Sequence, residues 1–208
     1  MNAQILLFEY PAGNGEIPPI KARELEFGFF AHASQAREFI SKNHYSGICP
    51  PSELYFRAAH MGETVGCCCF RKPSLPKTAS AYRADIELSR LAILDAAGKN
   101  SESRFIGYCL RWLRKNTAYR RVVSFADPLH GHSGTIYRAS NFVFAGKEIG
   151  HGTRSICVDD EWMHSKTAYD RYGASGINLA GMLPGRKVSV RVNPQKYVYL
   201  YDLREAGQ

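Results

Sequence analysis

Residues 87–146 constrain this chain more than any other stretch. They read as an apolar run (ELSRLAIL), a polar loop (DAAGKNSES), a segment with apolar residues at helical spacing (RFIGYCLRWLRKN) and a second apolar run (RRVVSFAD) ending at Asp127. Two Val/Ile/Leu-rich runs of strand length flanking a helical period predict a βαβ unit. The loop entering the helix carries Gly98, Lys99, Asn100, Ser101 and Ser103. Hydroxyls, free N–H groups and the positive end of a helix dipole suit an anionic group at that point. The second strand delivers Asp127 to its C-terminal edge, beside a loop with His130, Gly131, His132 and Ser133. An acid placed there is common in α/β active sites. Ser133 is expected to cap a short helix, GTIYRAS, that carries Tyr137, and Asn141 and Phe142 then turn into a strand, FVFAG. His130 and His132 have no third ligand in sequence, so a polar loop is expected rather than a metal site.

The flanks follow the same logic. Apolar runs at 5–8 and 25–30 fit an edge hairpin or an irregular lead-in. From Ser34 a helix with Ala36, Phe39 and Ile40 on one face is predicted to stop before Gly47 and to hand His44, Tyr45 and Ser46 to a loop. Residues 53–60 and 64–70 predict a β-hairpin turning at Met61, Gly62 and Glu63. Residues 71–85, RKPSLPKTASAYRAD, show two prolines and no apolar period and read as a mobile loop, with Arg71 and Lys72 free to meet phosphates. Arg90 stands in an otherwise apolar strand, where it needs either a carboxylate such as Glu87 or an anionic ligand. Phe105, Cys109, Trp112 and Leu113 form the core stripe of the central helix. Beyond residue 150 come a strand (RSICV), a helix over 162–172, a Gly-rich break and two basic strands, KVSVRV and KYVYLYDL. Lys187 and Arg191 alternate with valines there. Lys196 and Tyr197 begin a run that sets aromatics beside charges, a combination that suits nucleic acid.

One domain of 1–208 is expected, with a core at about 34–150 and a C-terminal extension over 151–208. The excess of 27 basic over 19 acidic residues, net +8, favours a polyanionic partner. No apolar run is long enough to cross a membrane, and the first residues lack the pattern of a signal peptide, so a cytoplasmic protein is expected. Six cysteines show no CxxC pair. Cys67, Cys68 and Cys69 must alternate across a strand, which suits buried thiols better than a shared metal.

The order hairpin, strand, anion-binding loop, helix, strand, helix and strand resembles the GNAT acetyltransferase fold, an α/β class with a mixed central sheet flanked by helices. HYSG at 44–47, IELSRLAI at 86–93, NSESRFI at 100–106, VVSFADPLHGHSGTIYRASNF at 122–142 and HSKTAYDRYG at 164–173 together resemble the phage Mom family of DNA-modification proteins. The resemblance implies a DNA-modifying transferase that converts adenine to its N6-carbamoylmethyl form, shielding phage DNA from restriction. It implies double-stranded DNA as partner and places chemistry on His44, Tyr45, Ser46, Glu87, Arg90, Ser103, Asp127 and Tyr137. Asp127 would accept from the adenine amine, with His44 as the alternative base; Arg90 and Ser103, with Ser101, Asn100 and Lys99, would hold the donor; Tyr137 would protonate a leaving group. Lys187, Arg191, Lys196, Tyr197, Arg71 and Lys72 would meet DNA. The glycine-rich pyrophosphate loop of GNAT enzymes is absent, GKNSESR standing in its place. A carbamoylmethyl group has the atoms of a glycyl group, which points to an activated glycine, such as glycyl-tRNA, with tRNA then a further partner. The other donor is acetyl-CoA with a metal-dependent step, for which His44, Tyr45 and Asp127 are the candidate iron ligands. Two rival functions remain: an acyl-CoA-dependent N-acyltransferase acting on a small amine or protein, and a non-catalytic nucleic-acid-binding module.

Overall fold

The structure is a computed structural model that describes residues 19–149, 153–174 and 177–204; the apolar run at 5–8 lies outside them. In chain order the elements are a 3-10 turn (Ala22–Glu24), β1 (Glu26–Phe29), α1 (Ala33–Asn43), β2 (Leu54–His60), β3 (Glu63–Arg71), α2 (Pro76–Tyr82), β4 (Ile86–Ile93) and α3 (Ser101–Asn116). Then follow β5 (Arg121–Ala126), a 3-10 turn (Pro128–His130), α4 (Thr135–Ala139), β6 (Val143–Lys147), β7 (Arg154–Val158), β8 (Glu161–His164), α5 (Ser165–Tyr172), α6 (Ile177–Met182), β9 (Val188–Val192) and β10 (Tyr197–Asp202).

The main sheet has the order β1-β2-β3-β4-β5-β10-β6. Only the β4–β5 pair is parallel, as the βαβ reading requires. The apolar stripe of α3 covers one face with Phe105, Ile106, Cys109, Leu110 and Leu113. On the other face α1 contributes Ala36 and Ile40. The alternation of β3 serves both layers: Cys67 and Cys69 join the α1 cluster, while Cys68 joins the α3 cluster with Cys109. The fold is thus the mixed α/β sheet flanked by helices that was expected.

Two irregularities shape the sheet. The β3–β4 register slips between Cys69–Arg90 and Phe70–Leu88, leaving Ser89 as an extra residue, and a bulge of this kind bends its strand. The parallel β4–β5 ladder then stops at Leu88 and Ser124, although β4 runs on to Ile93. Beyond that point the two strands part and open a cleft.

Four local expectations are corrected. Residues 76–82 of the supposed loop form α2, because Pro76 fits a first helical turn, where it needs no N–H partner, and Arg83 closes the helix in a left-handed conformation. Trp162 lies in β8 rather than in a helix: Asp159 and Asp160, both at positive φ, make a two-residue hairpin turn, and the helix starts only after His164. Gly134, not Ser133, precedes α4, at φ 78°. The boundary at 150 does not divide the main sheet, since β10 lies inside it between β5 and β6. What stands apart is a second sheet, β8-β7-β9, whose core of Ile156, Val158 and Met163 packs on Ala168 and Leu179 of α5 and α6.

Candidate functional site

Two cavities meet where β4 and β5 separate. The first, about 600 Å³, is lined by His44, Glu102, the 130–137 loop and Tyr137. The second, about 400 Å³, is lined by Arg71, Lys77, Tyr82, Glu87, Asp127, Glu148, Thr153 and Lys196. Tyr45, Ser89, Arg90 and Phe125 line both. The split in the ladder therefore joins a pocket beside α4 to a more polar pocket walled by α2 and by Glu148, Ile149 and Thr153.

The helix end at His44 sets up the junction. Its Nδ1 accepts the backbone N–H of Ser46 at 3.1 Å and lies 2.8 Å from the Ser46 hydroxyl. Burial, reinforced by the Arg90 guanidinium and by His132 and His130, pulls the His44 pKa down to about 4. The ring is thus neutral at pH 7, and because Nδ1 is occupied as an acceptor, the proton resides on Nε2. With Nδ1 so engaged, His44 presents Nε2–H as a hydrogen-bond donor. The unfolded chain takes up the proton first, so stability is full above pH 6.5 and falls as pH drops toward 4. In thermal melts the wild type is expected to lose more stability across that window than His44→Gln does; parallel curves would contradict this account.

Tyr45, half exposed, stacks on His44 at 4.3 Å, on His130 at 4.2 Å and on His132 at 5.0 Å between ring centroids. Burial and the Asp127 carboxylate raise its pKa, so it stays a neutral phenol. The HGH loop thereby acquires a role that its sequence concealed: its rings fix Tyr45. The signal was the alternation with Gly131, whose φ of 76° lets the loop turn.

Arg90 donates through Nε to the Ile48 carbonyl at 2.8 Å and through Nη1 to the Ser89 carbonyl at 2.6 Å. It does not pair with Glu87. That carboxylate is buried and takes Arg71 at 3.4 Å and the Ser74 N–H at 3.3 Å. Asp127 accepts the Leu129 N–H at 3.0 Å, and its other oxygen lies 3.7 Å from the Lys196 ammonium. Tyr137 is buried; desolvation pushes its pKa up to about 12, against a hydrogen bond with Ser124 that lowers it.

The serine-rich loop differs from expectation. Ser101 donates to the Gly98 carbonyl at 2.6 Å and Ser103 to the Asn100 carbonyl at 3.2 Å, so both hydroxyls close the helix start. Gly98 is needed because a Cβ there would press on the Ile20 carbonyl at 2.8 Å. None of Lys99, Asn100, Ser101 and Ser103 lines either cavity, whereas Glu102 does. The residues expected to meet DNA divide. Arg71 and Lys196 line the polar cavity, Lys72 lies 3.9 Å from Glu53, Tyr197 packs on Phe144, Arg191 belongs to the small sheet, and Lys187, just before β9, lies 3.5 Å from Asp160. His44, Tyr45 and Asp127 surround the junction, yet Nδ1 of His44 is held by Ser46 and the Tyr45 ring lies against imidazoles. Among the described residues no group of three His, Cys, Asp or Glu is placed to hold a metal. The site does not fit an iron centre, and no step is routed through one.

Comparisons with known proteins accord with this geometry. A polyamine N-acetyltransferase from Drosophila melanogaster superposes with a TM-score of 0.51 at 9% identity, covering 86% of this chain and 99% of that one. A ribosomal-protein-S5-alanine acetyltransferase from Vibrio fischeri gives 0.49 at 10% identity, covering 89% and 96%. The first of these likenesses shows a GNAT-type fold and nothing about substrate. Methylcarbamoylase Mom of Escherichia phage Mu is 35% identical over 125 residues, 59% of this chain, and the match spans half of that relative's length. The Mom protein family profile matches residues 30–207, and the chain belongs to that family.

Proposed function

We propose that the protein is a DNA-modifying transferase that places a carbamoylmethyl group on the N6 amine of adenine, the polar cavity taking the base and the α4-side cavity the donor. The observation that carries this reading is the junction itself. A carboxylate, Asp127, faces one cavity, two neutral proton donors, His44 and Tyr137, face the other, and Arg90 is pinned between them. The adenine amine is weakly nucleophilic because its lone pair is delocalised into the ring. Asp127 accepts its hydrogen bond and takes the proton as the new bond forms. His44, through Nε2–H, and Arg90 meet the charge that develops on the donor carbonyl. Tyr137, held protonated by its raised pKa, gives its proton to the leaving group.

The donor is an activated glycyl group. The hydroxyls that would cradle a pyrophosphate are turned into backbone carbonyls, and Glu102 adds a carboxylate to the donor cavity. Glycyl transfer to N6 followed by rearrangement gives the carbamoylmethyl group with no atom gained or lost. Adenine within a duplex must leave the stack to reach the polar cavity. Nucleoside mass spectrometry on DNA from cells expressing the protein and fed labelled glycine tests the whole reading: a labelled, heavier adenine is expected, and unmodified adenine would end it. Tyr137→Phe keeps the ring contacts with Phe142 and Tyr199 but removes the proton, so turnover is expected to fall about 100-fold with little change in KM.

The GNAT-type fold favours a second reading, acyl-CoA-dependent transfer to a small amine or protein. Thermal stabilisation by CoA, with none by DNA, would favour it.

A further inference from the structure

The small sheet is built asymmetrically. Its Ile156 face is covered by α5 and α6, but the opposite face shows Trp162, His164, Ser189 and Arg191 to solvent. Strand alternation puts these side chains together with Ser155 and Cys157, and among the described residues no carboxylate of these strands shares that face. Asp159 and Asp160 sit at the far hairpin turn, already paired with Arg186 and Lys187, while Glu161 pairs with Arg171. Neither Arg154 nor Arg191 is in an ion pair among the described residues. Arg191 instead places its guanidinium over the Trp162 ring, 4.2 Å from the centroid. A cation–π contact holds the guanidinium in place without using up its charge, an arrangement suited to a phosphate.

The same sheet is bolted to the rim of the polar cavity. Buried Asn193 donates its backbone N–H to the Thr153 carbonyl at 2.8 Å and its side-chain amide to the Thr153 hydroxyl at 3.0 Å, and it accepts the Ser155 hydroxyl at 3.0 Å. Thr153 lines the cavity, and Arg191 is registered opposite Ser155.

We infer that the small sheet is a wing that grips duplex DNA, its Trp162–Arg191 face holding a backbone phosphate beside the base that enters the polar cavity. The inference rests on the DNA-modification reading for the identity of that base. It commits to a DNA duplex because the open face is free of carboxylate, belongs to a chain of net charge +8 and adjoins the polar cavity.

The test uses the full protein and a fluorescein-labelled duplex with a single adenine opposite an abasic position, which frees that adenine to flip. Fluorescence anisotropy at several salt concentrations is expected to show Arg191→Ala binding about fivefold more weakly, with a salt slope smaller by about 1. Arg171→Ala, which removes the same charge from the helix-covered side, is expected to bind like the wild type. Methylphosphonate substitution at one phosphate at a time then locates the contact. With the wild type, one neutral phosphate near the adenine weakens binding; with Arg191→Ala it adds nothing. Thermal melts confirm that the variants are folded, and Arg191→Lys, which keeps charge without stacking, is expected to fall between the two. Unchanged duplex binding by Arg191→Ala would overturn the wing, as would a loss spread evenly over all phosphates or confined to a tRNA competitor. Should the wild type leave adenine unmodified while Arg191→Ala still loses the located contact, the wing stands and the proposed chemistry falls.

Discussion

Asp127→Asn is expected to lower the rate of adenine modification by about 10²- to 10³-fold while leaving fold and duplex binding intact. The amide oxygen still accepts the Leu129 N–H, so the turn at Pro128–His130 persists. What disappears is the negative oxygen facing Lys196 in the polar cavity. The charge change favours a polyanion, so affinity for DNA is expected to hold or rise. Rate and affinity thus move in opposite directions, which a merely structural role for Asp127 would not produce. Single-turnover modification followed by mass spectrometry, with anisotropy alongside, checks it; an unimpaired rate would remove Asp127 as the acceptor.

Gly134→Ala is expected to be the most destabilising small substitution near the site. Gly134 sits at φ 78°, where an L side chain is strained by roughly 1–2 kcal/mol. A Cβ there would also collide with the Tyr199 ring, and overpacking of this kind adds roughly 1–3 kcal/mol. The sum, roughly 2–5 kcal/mol, corresponds to a drop in Tm of roughly 5–20 °C for a chain of this size. Tyr199 cannot yield easily, because its hydroxyl donates to the Ser133 carbonyl at 2.7 Å and its ring packs on Tyr137 at 5.3 Å. Gly131→Ala separates the two contributions: φ is similar at 76°, but nothing lies within 4 Å of the new Cβ. It is expected to show the smaller, purely conformational loss in differential scanning calorimetry.

Much of the fold was legible because local patterns and long-range pairing agreed. The hairpin, the βαβ unit and the C-terminal strands were written in period-two and helical spacing, and each formed close to its expected bounds. Where tertiary structure decided, local pattern misled. Residues 76–82 have no apolar period because the helix they form buries no residue, so periodicity could not reveal it. The serines at 101 and 103 are the right residue types for an anion, but only geometry reveals that their hydroxyls point back at carbonyls. Placement of β10 beside β5 joins residues up to 81 apart in sequence, as between Arg121 and Asp202, and no local signal encodes it. At the junction, His44, Tyr45, Arg90, Asp127 and Tyr137 were each recognisable as functional types, and the structure brings them around one cleft. That Nδ1 of His44 is held by the Ser46 N–H became readable only in the structure.

The late insertion of β10 also has a consequence for synthesis. During translation β4, α3 and β5 emerge long before residue 197, so the nascent chain carries β5 with an open edge, and Gly134 has no Tyr199 to pack against. Pairing across so many residues closes a long loop, which belongs to the slower class of folding events. The cleft acquires its finished wall only when that strand docks. A ribosome-bound chain that has not yet exposed β10 therefore holds most of the side chains that line the cleft but not the strand that frames them, and the timing of a single strand separates an open half-sheet from the closed one.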